Sequence, residues 1–125
     1  MKLEYLAEGS QDCPLIRLYA FDQPEVLRLR KIAVSLSNRS AVSIALHDER
    51  GVESVSSCKL MLRSAAKDMG IVQTAPLAFE CMLTPATWAS VKELIDPFCE
   101  SHIGGFQWLS DQGKVSLLLS HSGSW

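Results

Sequence analysis

Two stretches decide the fold class: LIRLYAFDQPEVLRLRKIAVSLS at residues 15–37 and AFECMLTPATWASVKELIDPFC at residues 78–99. In the first, Leu15 to Phe21 is aliphatic and aromatic with a single charge at Arg17, the composition of a strand. Asp22 then offers a carboxylate to a free backbone N–H, Glu25 stands three residues on, and Pro24 sits where a missing N–H costs nothing. Val26, Leu29, Ile32, Ala33 and Leu36 follow at helical spacing, with Arg28, Arg30 and Lys31 mostly off that stripe. The second stretch repeats the logic. Phe79, Cys81 and Leu83 alternate with Ala78, Glu80 and Met82 as in a strand. Thr84 is the expected cap and Pro85 the first helical residue. Trp88, Val91, Leu94 and Ile95 form the expected buried stripe. Asp96-Pro97 is expected to end or kink the helix, because proline disfavours helical geometry in the residue before it.

Around these two units the pattern is of short strands. Leu3, Tyr5 and Ala7 alternate with Lys2, Glu4 and Glu8, and Gly9 to Asp12 reads as a turn, so residues 2–21 form a hairpin. Strands are expected at Val42 to Leu46, from Cys58 through Leu62, and at Ile71 to Thr74. His47 to Gly51 reads as a polar loop. Phe106 to Leu109 and Val115 to Leu119 flank a turn at Ser110 to Lys114. The expected fold is α+β over residues 1–125 as one globular domain. It has a mixed, mainly antiparallel sheet of seven to eight strands with two amphipathic helices, a two-sheet or barrel-like closure being the alternative. The element order admits a ββαββ duplication, although identity between the halves is negligible. A pseudo-twofold of that kind leaves a cleft between halves as the natural ligand site.

Composition bounds the function. With 12 basic against 14 acidic residues, a net charge of −2 and a pI near 5.9, the chain lacks the basic excess of a nucleic-acid binder. No stretch reaches the ~18 apolar residues of a spanning helix. No leader pattern is read, and Cys13, Cys58, Cys81 and Cys99 show no CxxC pair. The expected setting is therefore soluble and cytoplasmic, with reduced cysteines and neither nucleic-acid nor membrane partners.

The chemistry-bearing residues form no strong motif. Cys99 and His102 stand in a C-x-x-H pair, a weak metal candidate without a second pair to complete four ligands. Cys13, in a turn before Pro14, is the thiol expected to be most reactive. His47, Asp48 and Glu49 read as a solvated loop. Arg17, His47, Arg63 and Glu80 are the dispersed polar residues that a cleft between the halves would use. No cofactor motif is present: Gly104-Gly105 lacks phosphate-loop context. Phe106 and Trp108 share one strand face and are expected in the core. Trp125 either docks on the body or serves as an anchor. The expectation is a non-catalytic protein-interaction or regulatory module, binding a protein partner or itself as a homodimer. The alternative is a small-ligand-binding protein or small enzyme with a cleft between two ββαββ halves.

Overall fold

The computed structural model describes residues 1–100 and 104–125. Its strands are β1 (Lys2–Leu6), β2 (Leu15–Tyr19), β3 (Ser43–Ala45), β4 (Glu53–Ser54), β5 (Lys59–Ser64), β6 (Gly70–Ala75), β7 (Ala78–Leu83), β8 (Phe106–Ser110) and β9 (Ser116–Ser120). The helices are α1 (Gln23–Ser37) and α2 (Pro85–Cys99).

Both helices start as their sequences dictate. The Asp22 carboxylate accepts from Glu25 N and the Glu25 carboxylate accepts from Asp22 N, each at 2.9 Å, closing a capping box. Glu25 also holds the Met1 ammonium at 2.7 Å. Thr84 Oγ1 accepts from Thr87 N at 3.2 Å. The buried stripes are Val26, Leu29, Ile32, Ala33 and Leu36 on α1 and Trp88, Val91, Ile95 and Phe98 on α2. Leu94 is only half-buried. Pro97 does not end α2, which runs on to Cys99. Phe98 packs edge-on against Phe21, ring centroids 6.1 Å apart, and that contact holds the last turn in place.

The strands form two mixed sheets, one of five in the order β4-β1-β2-β9-β8 and one of four in the order β3-β5-β7-β6. The expectation of a mainly antiparallel sheet with seven to eight strands is thus corrected. Among the described residues there are nine strands, and the centre of each sheet is a parallel pair, β2 with β9 and β5 with β7. The reason is topological. The chain leaves one sheet through a helix and enters the other, so each half contributes two strands to each sheet, and the first half adds β4 to the five-stranded one. Alternation reports which face of a strand is buried, not which strand lies beside it.

The pairings of the two sheets match residue by residue when β1 is exchanged with β6, β2 with β7, β3 with β8 and β5 with β9. Leu3 opposite Leu18 answers Ile71 opposite Cys81, and Glu4 opposite Arg17 answers Val72 opposite Glu80. Arg17 beside Leu118 answers Glu80 beside Met61, and Trp108 opposite Leu118 answers Ala45 opposite Met61. Strand sense agrees in every case. One residue breaks the match at the strand–helix junction of the first half, where Ala20 takes φ 52°.

A single buried cluster draws on both sheets and both helices. Tyr5 of the first sheet packs on Phe79 of the second, ring centroids 4.6 Å apart. Trp88 lies fully inside and donates from Nε1 to Arg63 O at 2.8 Å.

The outer faces of the two sheets differ. On the first, Leu15 and Leu118 are 0% exposed yet lie outside the central cluster. Residues 123–125 are tied to this side of the sheet. Gly123 O accepts from Arg17 Nη1 at 2.8 Å, Ser124 O from Ser120 Oγ at 2.6 Å, and Trp125 Nε1 donates to Asp12 Oδ2 at 2.9 Å. Trp125 therefore docks. Phe106 and Trp108 belong to this outer face as well, in the same row as Leu118, and Phe106 is 47% exposed. Their expected place in the core is corrected. The core side of β8 and β9 is already taken by Leu109, Leu117 and Leu119. On the second sheet the equivalent face carries Met61, Met82 and Val72, half-buried around an Arg63–Glu80 ion pair. No helix among the described residues is long and apolar enough to cross a membrane.

Candidate functional site

The two sheets meet at one bridge, Ile71 against Val115. Two glycines make the approach possible. Gly70 has φ 71°, and a Cβ placed on it would stand 2.6 Å from Gly113 N. A Cβ on Gly113 would stand 2.9 Å from Ile71 O and 3.2 Å from Ile71 N. The main chain of Ile71 is thus turned away from β7 and towards the 113–115 segment. Strand alternation turns the main chain of Gln73 the same way. Past the bridge nothing among the described strands pairs with that edge, and Gln73, Thr74 and Ala75 are all exposed.

Beside this edge lies a cleft of about 580 Å³ lined by Pro14, Met69, Ile71, Val72, Gln73, Gly113, Lys114 and Val115. Its volume is that of a small-molecule or peptide side-chain site. The walls are mostly apolar, and Met69 is 52% exposed at its mouth. Lys114 is the one charged residue in the lining and pairs with no carboxylate among the described residues. The lining carries no carboxylate, imidazole or thiol. Its chemistry is that of apolar contact, one cation and a free strand edge.

The dispersed residues singled out from sequence stand elsewhere. Arg17 lies on the outer face of the first sheet, donating to Glu4 Oε1 from Nε at 2.8 Å and from Nη2 at 2.6 Å. Arg63 and Glu80 are brought together, but as a cross-strand ion pair on the outer face of the second sheet, with Arg63 Nη1 also donating to Ser43 Oγ at 3.1 Å. His47 belongs to a 3-10 turn, Leu46–Asp48, where a polar loop was expected. Its Nδ1 lies 3.0 Å from Leu60 N and 3.2 Å from Leu60 O, which ties the turn to β5, and its Nε2 lies 3.7 Å from Asp48 Oδ2. None of the four lines the cleft.

The cysteines are free thiols. Burial pushes Cys58 up to about 11, with Glu4 adding to the shift, and burial alone pushes Cys81 up to about 12. Cys99 is half-buried at the end of α2 with Sγ 3.9 Å from Val26 O, and burial raises its thiol too. His102, its expected partner, lies outside the described residues. Among the described residues no group of three or more metal-ligating side chains gathers. Cys13 is half-exposed, with its Sγ 3.7 Å from Ser10 Oγ.

Sequence reasoning missed Met69, Gln73 and Lys114. The usable signal was the unequal length of two equivalent connectors, 46–58 between β3 and β5 against 111–115 between β8 and β9. Comparison with known proteins returned no match: no family model, no curated protein and no solved structure is significantly similar to this chain.

Proposed function

We propose that this chain is a non-catalytic interaction module that takes a protein partner at the junction of its two sheets. The unpaired edge of β6 past Ile71, with Gln73 turned outward ahead of a bulge between Gln73 and Ala75, lies beside a mostly apolar cleft and carries the reading. Unpaired N–H and C=O groups in a row are a template for another chain. Exposed Met69 supplies an adaptable apolar contact of the kind used at binding surfaces. Four unpaired thiols suit a reducing cytoplasmic setting. The matched registers support reading the chain as a duplicated ββαββ unit, which puts the cleft between its halves.

The cleft volume also supports the second reading, a binder of small apolar molecules. One experiment separates the two. Isotope-labelled protein is titrated with a panel of unstructured peptides and, separately, with a set of small organic fragments, and amide shifts are followed. Peptide-induced shifts at Met69–Ala75 and Gly113–Val115 support the interaction module. Shifts there from fragments alone support the small-ligand reading. Shifts from neither overturn both.

A further inference from the structure

We infer that the partner brings to the cleft one apolar side chain flanked by carboxylates. The interaction reading above is the premise, and the chemistry of the partner is what is added to it.

The walls ask for an apolar anchor. Pro14, Met69, Ile71, Val72 and Val115 are apolar, and Gly113 adds no side chain. Gln73 has its amide engaged elsewhere, with Nε2 donating to Pro76 O at 3.0 Å. Met69, Gln73 and Lys114 are all exposed, so the cleft does not close over its contents. A small ligand is normally enclosed over most of its surface. A cleft this open suits a side chain carried in on a larger partner, whose own surface then shuts out water around the anchor.

The charge asks for an acid. The carboxylates nearest the lining along the chain are engaged elsewhere or unpaired with it. Asp68, next to Met69, accepts from Thr84 N and from Thr87 Oγ1, each at 2.8 Å, at the start of α2. Asp12, just before Cys13 and Pro14, accepts from Trp125 Nε1 at 2.9 Å. Asp111, in the same turn as Lys114, makes no ion pair with it. Lys67, two residues before Met69, also pairs with no carboxylate among the described residues. Two unanswered cations therefore accompany a cleft whose lining holds no acid, in a chain of net charge −2. A carboxylate arriving on a partner is attracted by both and meets no like charge in the lining, whereas an arriving cation is repelled. Such pairs are open to solvent, so they select the partner more than they hold it, and the apolar anchor supplies the rest.

Four blocked synthetic peptides separate these parts: Gly-Glu-Leu-Glu-Gly, Gly-Gln-Leu-Gln-Gly, Gly-Lys-Leu-Lys-Gly and Gly-Glu-Gly-Glu-Gly. Each is titrated at low salt into the labelled full-length protein. The Glu-Leu-Glu peptide should shift the Met69–Gln73 and Gly113–Val115 amides. It should bind about fivefold more tightly than the Gln-Leu-Gln peptide, with the Lys-Leu-Lys peptide weakest. The preference should fade at about 1 M salt, where exposed charges are screened. Lys114→Gln should remove most of it and Lys114→Glu should reverse it; Lys114 is exposed, so neither change touches the core. If the Gln-Leu-Gln peptide binds as tightly as the Glu-Leu-Glu peptide, or if the preference survives Lys114→Gln undiminished, the acidic partner is wrong although the interaction reading survives. If the glycine-centred peptide binds as well as its leucine-centred parent, the apolar anchor is wrong. If the panel peptides shift the cleft and none of these four does, both parts are wrong. If no peptide shifts the cleft, the interaction reading itself fails.

Discussion

Leu118→Ala against Met61→Ala puts the unequal covering of the two sheets to the test. The two residues hold the same register position, Leu118 beside Arg17 and opposite Trp108, Met61 beside Glu80 and opposite Ala45. Both point away from the central core. Leu118 is nevertheless 0% exposed on a face to which Gly123, Ser124 and Trp125 are hydrogen-bonded, whereas Met61 is only partly buried by its neighbours. Truncating a fully buried leucine loses its transfer free energy and leaves a cavity, together about 3 kcal/mol. Truncating a partly exposed methionine forfeits a fraction of its burial and leaves no closed cavity, about 1 kcal/mol. Urea unfolding followed by tryptophan fluorescence and circular dichroism measures both, provided the m-value is unchanged. A native domain with ~5–15 kcal/mol of stability stays folded through either change. If the tail is what seals Leu118, Trp125→Ala should cost less in the Leu118→Ala background than in the wild type, because the two would then share one packing site. If Leu118→Ala costs no more than Met61→Ala, the tail does not seal that face.

Three further outcomes follow from the same geometry. An aromatic disulfide reagent at mildly alkaline pH should modify Cys13 in the native protein but reach Cys58 and Cys81 only on unfolding, since burial holds both thiols protonated; equal rates at all four cysteines would contradict the placement. Asp22→Ala should cost about 1–2 kcal/mol and Thr84→Ala about 1 kcal/mol in chemical denaturation, the range for lost helix caps, with the larger value where the capping box is broken. Acid should destabilise the fold through Glu25, Asp68 and Asp96. Burial alone would raise the Glu25 carboxyl, but the Met1 ammonium and the Asp22 amide outweigh it and hold it below its ordinary value; the Thr84 amide lowers Asp68, and Lys92 with Arg30 lowers Asp96. A depressed folded value means the stabilisation is complete above the unfolded carboxylate range near 4 and is lost as pH falls through the folded value. Unfolding midpoints measured from neutral to acid pH should decline on the acid side, and Glu25→Gln should flatten that limb; an unchanged slope in the variant would mean that Glu25 contributes nothing to the acid sensitivity.

Much of the local structure was legible because it is set by neighbours in the chain. The Asp22 and Thr84 caps, the apolar stripes behind them and the antiparallel pairs β1–β2 and β8–β9 all arise within a few residues of the signals that announce them. Other features were not legible. β4 is two polar-to-acidic residues that become a strand only because β1 offers them an edge. Phe106 and Trp108 do share one face, but period-two alternation cannot say which face is the core when Leu117, Leu118 and Leu119 are all fully or almost fully buried. Pro97 carries a real helix-breaking signal that the packing of Phe98 on Phe21 overrides in the last turn.

The candidate site divides in the same way. Sequence alone determined that there are two capped helices, each set between strands, and that no histidine, cysteine or glycine motif strong enough to name a chemistry accompanies them. Those properties depend on spacing along one chain. Tertiary structure alone decided that the halves interlace, that Arg63 meets Glu80 while Arg17 meets Glu4, and that a cleft opens beside the β6 edge past Ile71. Strand neighbours are chosen by the burial of shared faces across the whole molecule, over separations that no local pattern records. The cleft itself joins segments distant in the chain, Met69 to Gln73 and Gly113 to Val115, and it becomes visible only when they are laid side by side.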